Sequence, residues 1–255
     1  MFALLALTLM TDHHLAGEAT YYELRVYKVD DVAQRQPVLD YVNDALAPAL
    51  AKNDALGPVG VFVEADTQPK DAQPTGSVYV LMSSKSLVDL VNIDAALLAD
   101  ETYRAAAQSF LDQPVKKAPY ARIESKLMRA FDGMPETELP RETAAGADRV
   151  FEMRTYESHN TDKARLKVQM FNEGEIDVMK KVDLQPVFYG STLVGGDAPN
   201  LVYMLSGPSL EAHSKNWKAF LSDPEWDAMK GLPEYAGTVS KISQVFLVPA
   251  KSSEI

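Results

Sequence analysis

Short runs of apolar or alternating residues recur along the chain, and longer amphipathic stretches lie between them. The short runs predict β-strands and the longer stretches predict helices. Gly57 lies two residues after the end of the first predicted helix, as is typical of a helix C-terminus. The predicted strand, helix, strand, strand, helix and strand lie at 22–27, 31–55, 58–65, 77–83, 86–111 and 120–131, and again at 151–156, 161–182, 186–194, 201–206, 209–230 and 238–248.

The two series of elements also match in sequence. Residues 22–27 (YELRVY) and 151–156 (FEMRTY) share the pattern Glu-x-Arg-x-Tyr at a numbering offset of 129, which is 151 minus 22. Blocks that keep their order at shrinking offsets indicate an internal duplication. Three further blocks pair in this way, 58–62 with 186–190, 78–83 with 202–206, and 120–126 with 235–241.

The element order β-α-β-β-α-β is that of a ferredoxin-like unit. The sequence therefore predicts an α+β fold built from tandem ferredoxin-like repeats, the first at 20–131 and the second at 149–255. Residues 132–148, rich in Pro, Glu, Thr and Gly, are predicted to be a linker.

The segment 1–19 is open to two interpretations. Phe2–Met10 is an apolar run too short to span a bilayer. It has the length of a signal-peptide core, which would place the protein outside the cytoplasm or in a periplasm, but the usual basic residues before the core are missing. The alternative is an N-terminal extension of a cytoplasmic protein.

Composition excludes several functional classes. The formal net charge is −11, which opposes binding to nucleic acid or to an anionic membrane surface. Cysteine is absent, so disulfides, thiolate nucleophiles and Cys-bound metals are excluded. The four histidines show no i, i+4 helical spacing, and no metal site is expected.

The chain resembles the NIPSNAP family over almost its whole length. The resemblance rests on the two Glu-x-Arg-x-Tyr strands, on Met170–Ile176 (MFNEGEI), on Pro186–Gly190 (PVFYG) and on Trp217–Trp226 (WKAFLSDPEW). It implies two sheets that close into a pseudo-dimeric α+β barrel around an internal space. The superfamily includes cofactorless monooxygenases and haem enzymes, whereas NIPSNAP proteins themselves are better known as binding and adaptor-like proteins.

Strand alternation places the polar residues of both Glu-x-Arg-x-Tyr strands on one face and the apolar residues on the other. We expect the apolar face to lie under the helices, so that the polar residues converge inside the barrel. Their role is expected to be either a partly buried Glu–Arg ladder that holds the two sheets in register, which we favour, or a substrate site. The candidate ligand-binding residues in these strands are Glu23, Arg25, Tyr27, Glu152, Arg154 and Tyr156.

Glu175 is a further candidate, because it falls in the middle of an apolar helical stripe. The aligned position in the first repeat is Leu46, or Ala47 at an offset of 128, so this carboxylate belongs to the second repeat alone. Burial would raise its pKa. Glu175 is expected either to pair with a buried Arg or backbone amide, which we favour, or to act as a general base.

Two histidines of the second repeat complete the candidates. His159 follows the first strand of this repeat and is expected either to help cap the next helix, which we favour, or to reach the barrel mouth. His213 lies on the apolar face of a helix and is interpreted as a core residue. Haem ligation by His213 is the less favoured alternative, and no cofactor is expected.

Two functions fit these observations. The first is a protein that binds a small molecule in a polar barrel cavity, with cofactorless oxidoreductase or monooxygenase chemistry as an extension. The second is a non-catalytic interaction or scaffold protein, because no catalytic motif is recognisable. The sequence leaves open whether the chain is an enzyme, which ligand it binds and whether it forms a homo-oligomer.

Overall fold

Strands rich in Val, Tyr, Leu and Met build the centre of the molecule. The computed structural model describes residues 19–255, and the eight strands in that range form one closed antiparallel barrel in the order β1-β3-β2-β8-β5-β7-β6-β4. The strands are β1 (Tyr21–Lys28), β2 (Gly60–Glu64), β3 (Val78–Ser84), β4 (Arg122–Ala130), β5 (Val150–Glu157), β6 (Gln185–Val194), β7 (Asn200–Gly207) and β8 (Lys241–Pro249).

Helices cover the outside of the barrel. They are α1 (Arg35–Tyr41), α2 (Ala47–Leu50), α3 (Leu87–Val91), α4 (Ile93–Ala99), α5 (Glu101–Leu111), α6 (Arg141–Ala145), α7 (Thr161–Met170), α8 (Ile176–Lys181), α9 (Leu210–Leu221) and α10 (Pro224–Lys230). Single 3-10 turns lie at Val32–Gln34, Pro69–Asp71, Val115–Lys117 and Pro233–Tyr235. The element order of each half is strand, helix, strand, strand, helix and strand, and α6 lies in the segment expected to be a linker.

Two short seams join the halves. The first half contributes the strand order β4-β1-β3-β2 and the second half contributes β8-β5-β7-β6. β2 pairs with β8 through Phe62–Glu64, and β4 pairs with β6 through Leu127–Ala130, where the register shifts between Leu127 and Met128. The closed barrel of mixed α and β structure agrees with the expected fold class.

The barrel interior is apolar, and the expectation of a polar interior is wrong. Every strand contributes to one buried cluster, which only the inside of the barrel allows. Buried side chains of both halves touch there, so the interior is filled by hydrophobic contacts. The cluster includes Tyr22, Leu24, Phe62, Tyr79, Leu81, Met128, Ala130, Phe151, Met153, Val187, Phe188, Val202, Met204, Leu247 and Ile255.

The faces of β1 and β5 are consequently reversed from the expectation. The polar residues of both Glu-x-Arg-x-Tyr strands lie between the sheet and the helices, where Tyr27 and Tyr156 belong to the two helix-covered cores. Filling the barrel interior with apolar side chains costs less free energy than burying six polar groups there, because each buried polar group needs a hydrogen-bond partner. The helices supply such partners, and the opposite strands of the interior do not.

The strand register corrects two of the sequence alignments. Leu24 faces Leu81 across β1 and β3, and Met153 faces Met204 across β5 and β7, so the third strands align at 204 minus 81, an offset of 123. Tyr203 therefore corresponds to Val80 and not to Tyr79. A slip of one residue moves a side chain to the other face of a sheet, and Tyr79 lies inside the barrel whereas Tyr203 lies under the helices. The last strands of the two halves, β4 and β8, likewise align at an offset of 119 and not of 115. Leu127 pairs with Glu23 in the first half as Phe246 pairs with Glu152 in the second.

A single turn of π-helix interrupts the first long helix of each half. These turns are Val42–Leu46 and Phe171–Glu175, and they show the same numbering offset of 129 as the Glu-x-Arg-x-Tyr strands. Leu46 and Glu175 therefore occupy the same place in the two halves. π-turns insert one residue into a helix and often occur at functional sites.

The same two turns tie the halves together. Asn43 accepts hydrogen bonds from the backbone N–H (3.1 Å) and the hydroxyl (2.6 Å) of Ser252. Asn172 accepts one from the backbone N–H of Gly133 (3.0 Å). Gly133 and Ser252 follow the last strands of the two halves, so each half holds the chain that leaves the last strand of the other.

Helix ends explain why the long predicted helices are divided. Asp100 caps α5 through the N–H of Thr102, and Asp223 caps α10 through the N–H of Glu225, where Pro224 begins the helix. Each cap starts a new helix in a new direction. The expectation of a signal peptide or N-terminal extension at 1–19 falls, except for Ala19, outside the described residues. From residue 19 onward, no helix is both long and apolar enough to cross a membrane.

Candidate functional site

A cleft of about 680 Å³ opens on the outside of the first half, between α1 and α5. Its lining combines two aromatic rings with many polar and charged side chains. The aromatic rings of Tyr41 and Phe110 stack at 3.8 Å between centroids with 5° between planes, and they form one wall. The other lining residues are Ala33, Gln34, Pro37, Asp40, Asp44, Ala106, Ser109, Gln113, Lys116, Lys117, Ala118 and Pro119.

The cleft reaches the polar face of the first sheet through tyrosines. The hydroxyls of Tyr41 and Tyr103 lie 2.8 Å apart, and the ring of Tyr27 contacts that of Tyr41 edge to face at 6.2 Å. Burial raises the pKa of Tyr41 above its ordinary value of 10, and nearby Tyr27 and Tyr103 raise it further. At neutral pH this hydroxyl is therefore protonated and can donate a hydrogen bond.

Arg25 lies deeper and is already paired. Its guanidinium contacts Glu23 at 3.0 Å and Asp94 at 2.8 Å, and the hydroxyl of Ser125 donates to Glu23 (2.8 Å). Burial opposes the charge of Arg25, but Glu23, Tyr27 and Asp94 raise its pKa above the ordinary value. These contacts lie within the first half and do not join the two sheets, so both the ladder between the sheets and the role of Arg25 in ligand binding stay predictions.

The equivalent region of the second half is closed. Lys163 corresponds to Gln34 of the cleft and donates to the carbonyl of Ala236 (2.9 Å), and Glu173 corresponds to Asp44 and accepts from the hydroxyl of Tyr235. The turn Pro233–Tyr235 thereby rests directly on α7. The two halves have the same order of elements, but this region is open to solvent in the first half and covered in the second.

A buried polar cluster lies under the helices of the second half. One carboxylate oxygen of Glu152 lies 2.8 Å from Nε2 of His213 and 2.5 Å from Nε1 of Trp217, and the other accepts from Arg154 at 2.9 Å. The indole N–H of Trp217 can only donate, and it lies 2.5 Å from Glu152 and 3.0 Å from Nε2 of His213. The shorter contact makes Glu152 its acceptor, and because a carboxylate only accepts, the contact of Glu152 with His213 requires a proton on Nε2. We assign the proton of His213 to Nε2 from this pattern. Its Nδ1 is buried and has no hydrogen-bond partner among the described residues.

Arg154 and Arg25 have different partners at equivalent places. Ser86 caps α3 and Ser209 caps α9, so these helices align at an offset of 123. At this offset Trp217 is the counterpart of Asp94, and His213 is the counterpart of Leu90. The guanidinium of Arg154 stacks 4.6 Å from the Trp217 ring. The second half thus replaces a carboxylate with an aromatic face and an apolar side chain with an imidazole.

The hydrogen bonds to Glu152 shift its titration. Burial alone would raise the pKa of Glu152, but the bond from His213, the charge of Arg154 and the bond from Trp217 hold this pKa below its ordinary value of 4.5. A carboxyl with a lowered pKa stabilises the fold above its unfolded-state pKa, and this contribution is lost as the pH falls through the folded-state pKa.

Glu152→Gln is therefore expected to cost about 1–3 kcal/mol at pH 7, because the donors of His213 and Arg154 lose a charged acceptor. The cost should shrink as the pH falls from 4.5 through the lowered folded-state pKa of Glu152, because the folded wild-type carboxyl is then protonated. Urea unfolding of both chains at pH 7 and at pH 3 measures this difference. An equal cost at the two pH values would contradict it.

Glu175 forms a second buried pair in the same half. It is 1% exposed, and its carboxylate lies 2.5 Å from the ammonium of Lys167, which is 4% exposed. Burial raises the pKa of Glu175, against the lowering effect of Lys167 and Arg154. The structure thus pairs Glu175 with a lysine, where the sequence predicts an arginine or a backbone amide.

The two histidine candidates differ in position. His159 is exposed in the bend before α7, and Asn160 beside it accepts the capping hydrogen bond from the N–H of Lys163 (2.9 Å). His213 is a core residue, and its Nε2 is engaged by Glu152. In the part of the chain that the structure covers, no group of three or more His, Asp or Glu side chains is placed to hold a metal ion.

Comparison with known proteins places the second half in a family. The family model NIPSNAP matches residues 151–254, which include β5 to β8 and the whole buried polar cluster. Residues 151–254 form a NIPSNAP domain. Among curated proteins, no sequence matches the chain.

Solved structures share the fold of the whole chain, including the NIPSNAP domain. A candidate monooxygenase from Lactobacillus acidophilus NCFM is 8% identical, with 91% of this chain and 95% of that chain covered and a TM-score of 0.56. An anthrone oxidase-like protein is 11% identical, with 92% of each chain covered and a TM-score of 0.53. A NIPSNAP-like domain protein from Burkholderia xenovorans is 20% identical and covers 40% of this chain and 86% of its own, with a TM-score of 0.37.

Most of the predicted site residues of the NIPSNAP domain come together, although not inside the barrel. Glu152, Arg154, Tyr156 and Glu175 lie in one layer between the sheet and the helices, whereas His159 lies outside it. Tyr156 also accepts a hydrogen bond from the hydroxyl of Tyr203 (2.8 Å). Sequence reasoning missed two features.

The first missed feature is Lys167, the partner of Glu175 in the NIPSNAP domain. The second is the aromatic wall of the first-half cleft, made by Tyr41 and Phe110. Both aromatic positions fall in predicted helices, where a helical apolar stripe is normally read as core. The spacing of Tyr41 and Phe110 along the sequence does not indicate an open cleft.

Proposed function

We propose that the chain binds a small aromatic molecule with polar substituents in the cleft between α1 and α5, and not inside the barrel. The observation that carries this proposal is the cleft itself, about 680 Å³ in volume, with the stacked rings of Tyr41 and Phe110 on one wall. Small-molecule sites are typically concave spaces of about 300–1,000 Å³ with an apolar wall and a few polar groups.

The polar rim supports an oriented ligand. Asp40 and Asp44 lie on one side of the opening and Lys116 and Lys117 lie in the segment opposite. An aromatic ring can contact the edges of Tyr41 and Phe110, with its polar substituents toward these charges. Glu23, Arg25 and Tyr27 behind the wall then hold the tyrosines in place and do not themselves bind the ligand.

Cofactorless oxidation of the bound molecule is the reaction class that we propose for this cleft. Two of the fold neighbours carry names of oxygen-dependent enzymes, a candidate monooxygenase and an anthrone oxidase-like protein. Their likeness to this chain extends to the fold alone, so an oxygen-uptake assay with the bound compound has to test the reaction directly.

A non-catalytic scaffold is the second candidate, and the filled barrel interior favours it. Side chains from all eight described strands pack there. Such a barrel is a rigid platform, and the acidic net charge of −11 would then suit a basic protein partner. Under this second proposal the cleft has no ligand.

Ala106→Trp separates the two candidates, because Ala106 is exposed on the cleft wall and a tryptophan there would occupy the cleft. We expect it to weaken binding of a planar probe, 1-naphthol, by at least about tenfold, or about 1.4 kcal/mol. Isothermal titration calorimetry measures the affinity. Native mass spectrometry of the purified chain should also show a co-purified ligand that the variant lacks.

Ala105→Trp is the matched control, since Ala105 is exposed one residue earlier on α5 and does not line the cleft. It should bind the probe as the wild type does. If the wild type and both variants bind equally, or none binds, the cleft is not the site and the scaffold proposal gains support.

We further propose that each half is a ferredoxin-like repeat and that the chain arose by duplication. The common offset of 129 between the Glu-x-Arg-x-Tyr strands and between the π-turns supports this history. Export of the protein also stays a proposal. N-terminal sequencing of the protein from its own host tests it, since an intact Met1 would exclude cleavage of a signal peptide.

A further inference from the structure

The ammonium group of Lys167 is enclosed by aromatic rings. Its Nζ lies 4.5 Å from the ring centre of Phe171, 5.5 Å from that of Trp226 and 5.6 Å from that of Tyr156. Glu175 approaches to 2.5 Å from the remaining side, and the sulfur of Met170 lies at 3.4 Å. Several rings and a carboxylate around one cation are the arrangement by which proteins recognise organic ammonium groups.

The fold does not require this enclosure. The first half has Val38 where the second has Lys167, and Leu46 where the second has Glu175, at the common offset of 129. Val38 and Leu46 are fully buried in an ordinary apolar core. A buried ion pair generally stabilises a protein no better than apolar residues of similar size. The charged pair in the second half therefore calls for another explanation than packing.

The aromatic side chains come from three elements of the second half. Tyr156 lies on β5, Phe171 on the π-turn and Trp226 on α10, which covers the site from outside. Residue 174 is a glycine with a φ of 155°, and a Cβ there would lie 2.6 Å from the end of the Met229 side chain on α10. The glycine permits a backbone conformation in the π-turn that other residues rarely adopt.

We propose that Tyr156, Phe171, Trp226 and Glu175 form a recognition site for organic ammonium groups, which the side chain of Lys167 occupies from within the chain. The ligand class is protonated primary and methylated amines. Each ring attracts the cation through its negative face, and the carboxylate supplies the opposite charge. The site lies in the other half from the cleft and does not depend on ligand binding there.

Removal of the internal occupant tests the proposal. Lys167→Ala is expected to lower the melting temperature, because it leaves a cavity and an unpaired Glu175. Methylammonium chloride should then raise the melting temperature of the variant in a saturable manner by several degrees. Sodium chloride at the same ionic strength should not, and wild type should respond to the two salts equally, because Lys167 fills the site.

The double variant Lys167→Val with Glu175→Leu copies the first half and is the matched control. It lacks both the occupant and the carboxylate, so methylammonium and sodium chloride should affect it equally. If methylammonium stabilises this control as much as Lys167→Ala, the response is nonspecific and the proposal is wrong.

Failure of Lys167→Ala to fold does not remove the test. The variant is then refolded from urea with methylammonium chloride or with sodium chloride, and near-ultraviolet circular dichroism reports native packing. Recovery in methylammonium alone supports the site. No difference between the salts, for a folded or an unfolded variant, overturns the proposal.

Discussion

Glu175→Leu is expected to destabilise the protein by about 3–5 kcal/mol, because it leaves the ammonium of Lys167 buried without a carboxylate. Both side chains are almost fully excluded from water and lie 2.5 Å apart. The aromatic rings around Lys167 recover only a part of the loss, since a cation–π contact contributes about 0.5–2 kcal/mol. Urea unfolding followed by circular dichroism measures the change.

The double variant Lys167→Val with Glu175→Leu should regain the lost stability and equal or exceed the wild type, by up to about 4 kcal/mol. It removes both charges and restores the residue types that the first half has at Val38 and Leu46. The size of the non-additivity between the single and double variants gives the coupling of the pair. A double variant as unstable as Glu175→Leu would show that the pair is not the reason for the loss.

Phe188→Ala is expected to cost about 3–5 kcal/mol, as is typical of a large aromatic residue removed from a core. Phe188 is fully buried inside the barrel and its ring lies 5.0 Å from that of Tyr22. The variant leaves a cavity that the rigid barrel cannot close, because strands of both halves surround it. Differential scanning calorimetry and urea unfolding both report the loss.

Val194→Ala on the same strand is the control for Phe188→Ala. Val194 ends β6 and is 64% exposed, so its truncation should change stability by no more than about 0.5 kcal/mol. If Phe188→Ala and Val194→Ala lowered the stability by equally small amounts, the barrel interior would contain free space that its packing contacts do not indicate. The apolar interior would then have to be reconsidered as a ligand cavity.

The reversed faces of β1 and β5 show that alternation predicts which side chains share a face of a strand, but not which face points into the barrel. Alternation correctly separates Glu23 and Arg25 from Tyr22 and Leu24, but both faces of a strand in this barrel are covered, one by helices and the other by opposite strands. The partners that make burial of the polar face tolerable, such as Asp94, come from helices far along the chain. No pattern within the strand reveals them.

The π-turn hides the pairing of Lys167 with Glu175 from sequence periodicity. Residues eight apart on a regular α-helix differ by about 80° around the axis, since each residue turns it by about 100°. The extra residue of the π-turn at Phe171–Glu175 takes up most of that difference and brings the two side chains to one face. Sequence periodicity assumes a regular helix, so Glu175 could be recognised as buried but its partner could not.

The strands and their order could be predicted because each run is short and bounded by turn residues. The alignment of Tyr79 with Tyr203 failed, because two tyrosines one position out of register outweighed the alternation of their neighbours. An error of one residue is small in a sequence alignment but exchanges the two faces of a strand. The side chains that line a site are therefore the least certain part of such a prediction.

The reciprocal hydrogen bonds of Asn43 and Asn172 have a consequence for how the chain reaches its native state. Each half needs the other to hold the end of its last strand and to pair its outermost strands. Without the other half, each sheet leaves two edge strands unpaired, so we expect the barrel to close in one cooperative transition. A destabilising substitution in either half should therefore lower the stability of both, so that the two similar halves unfold in a single transition.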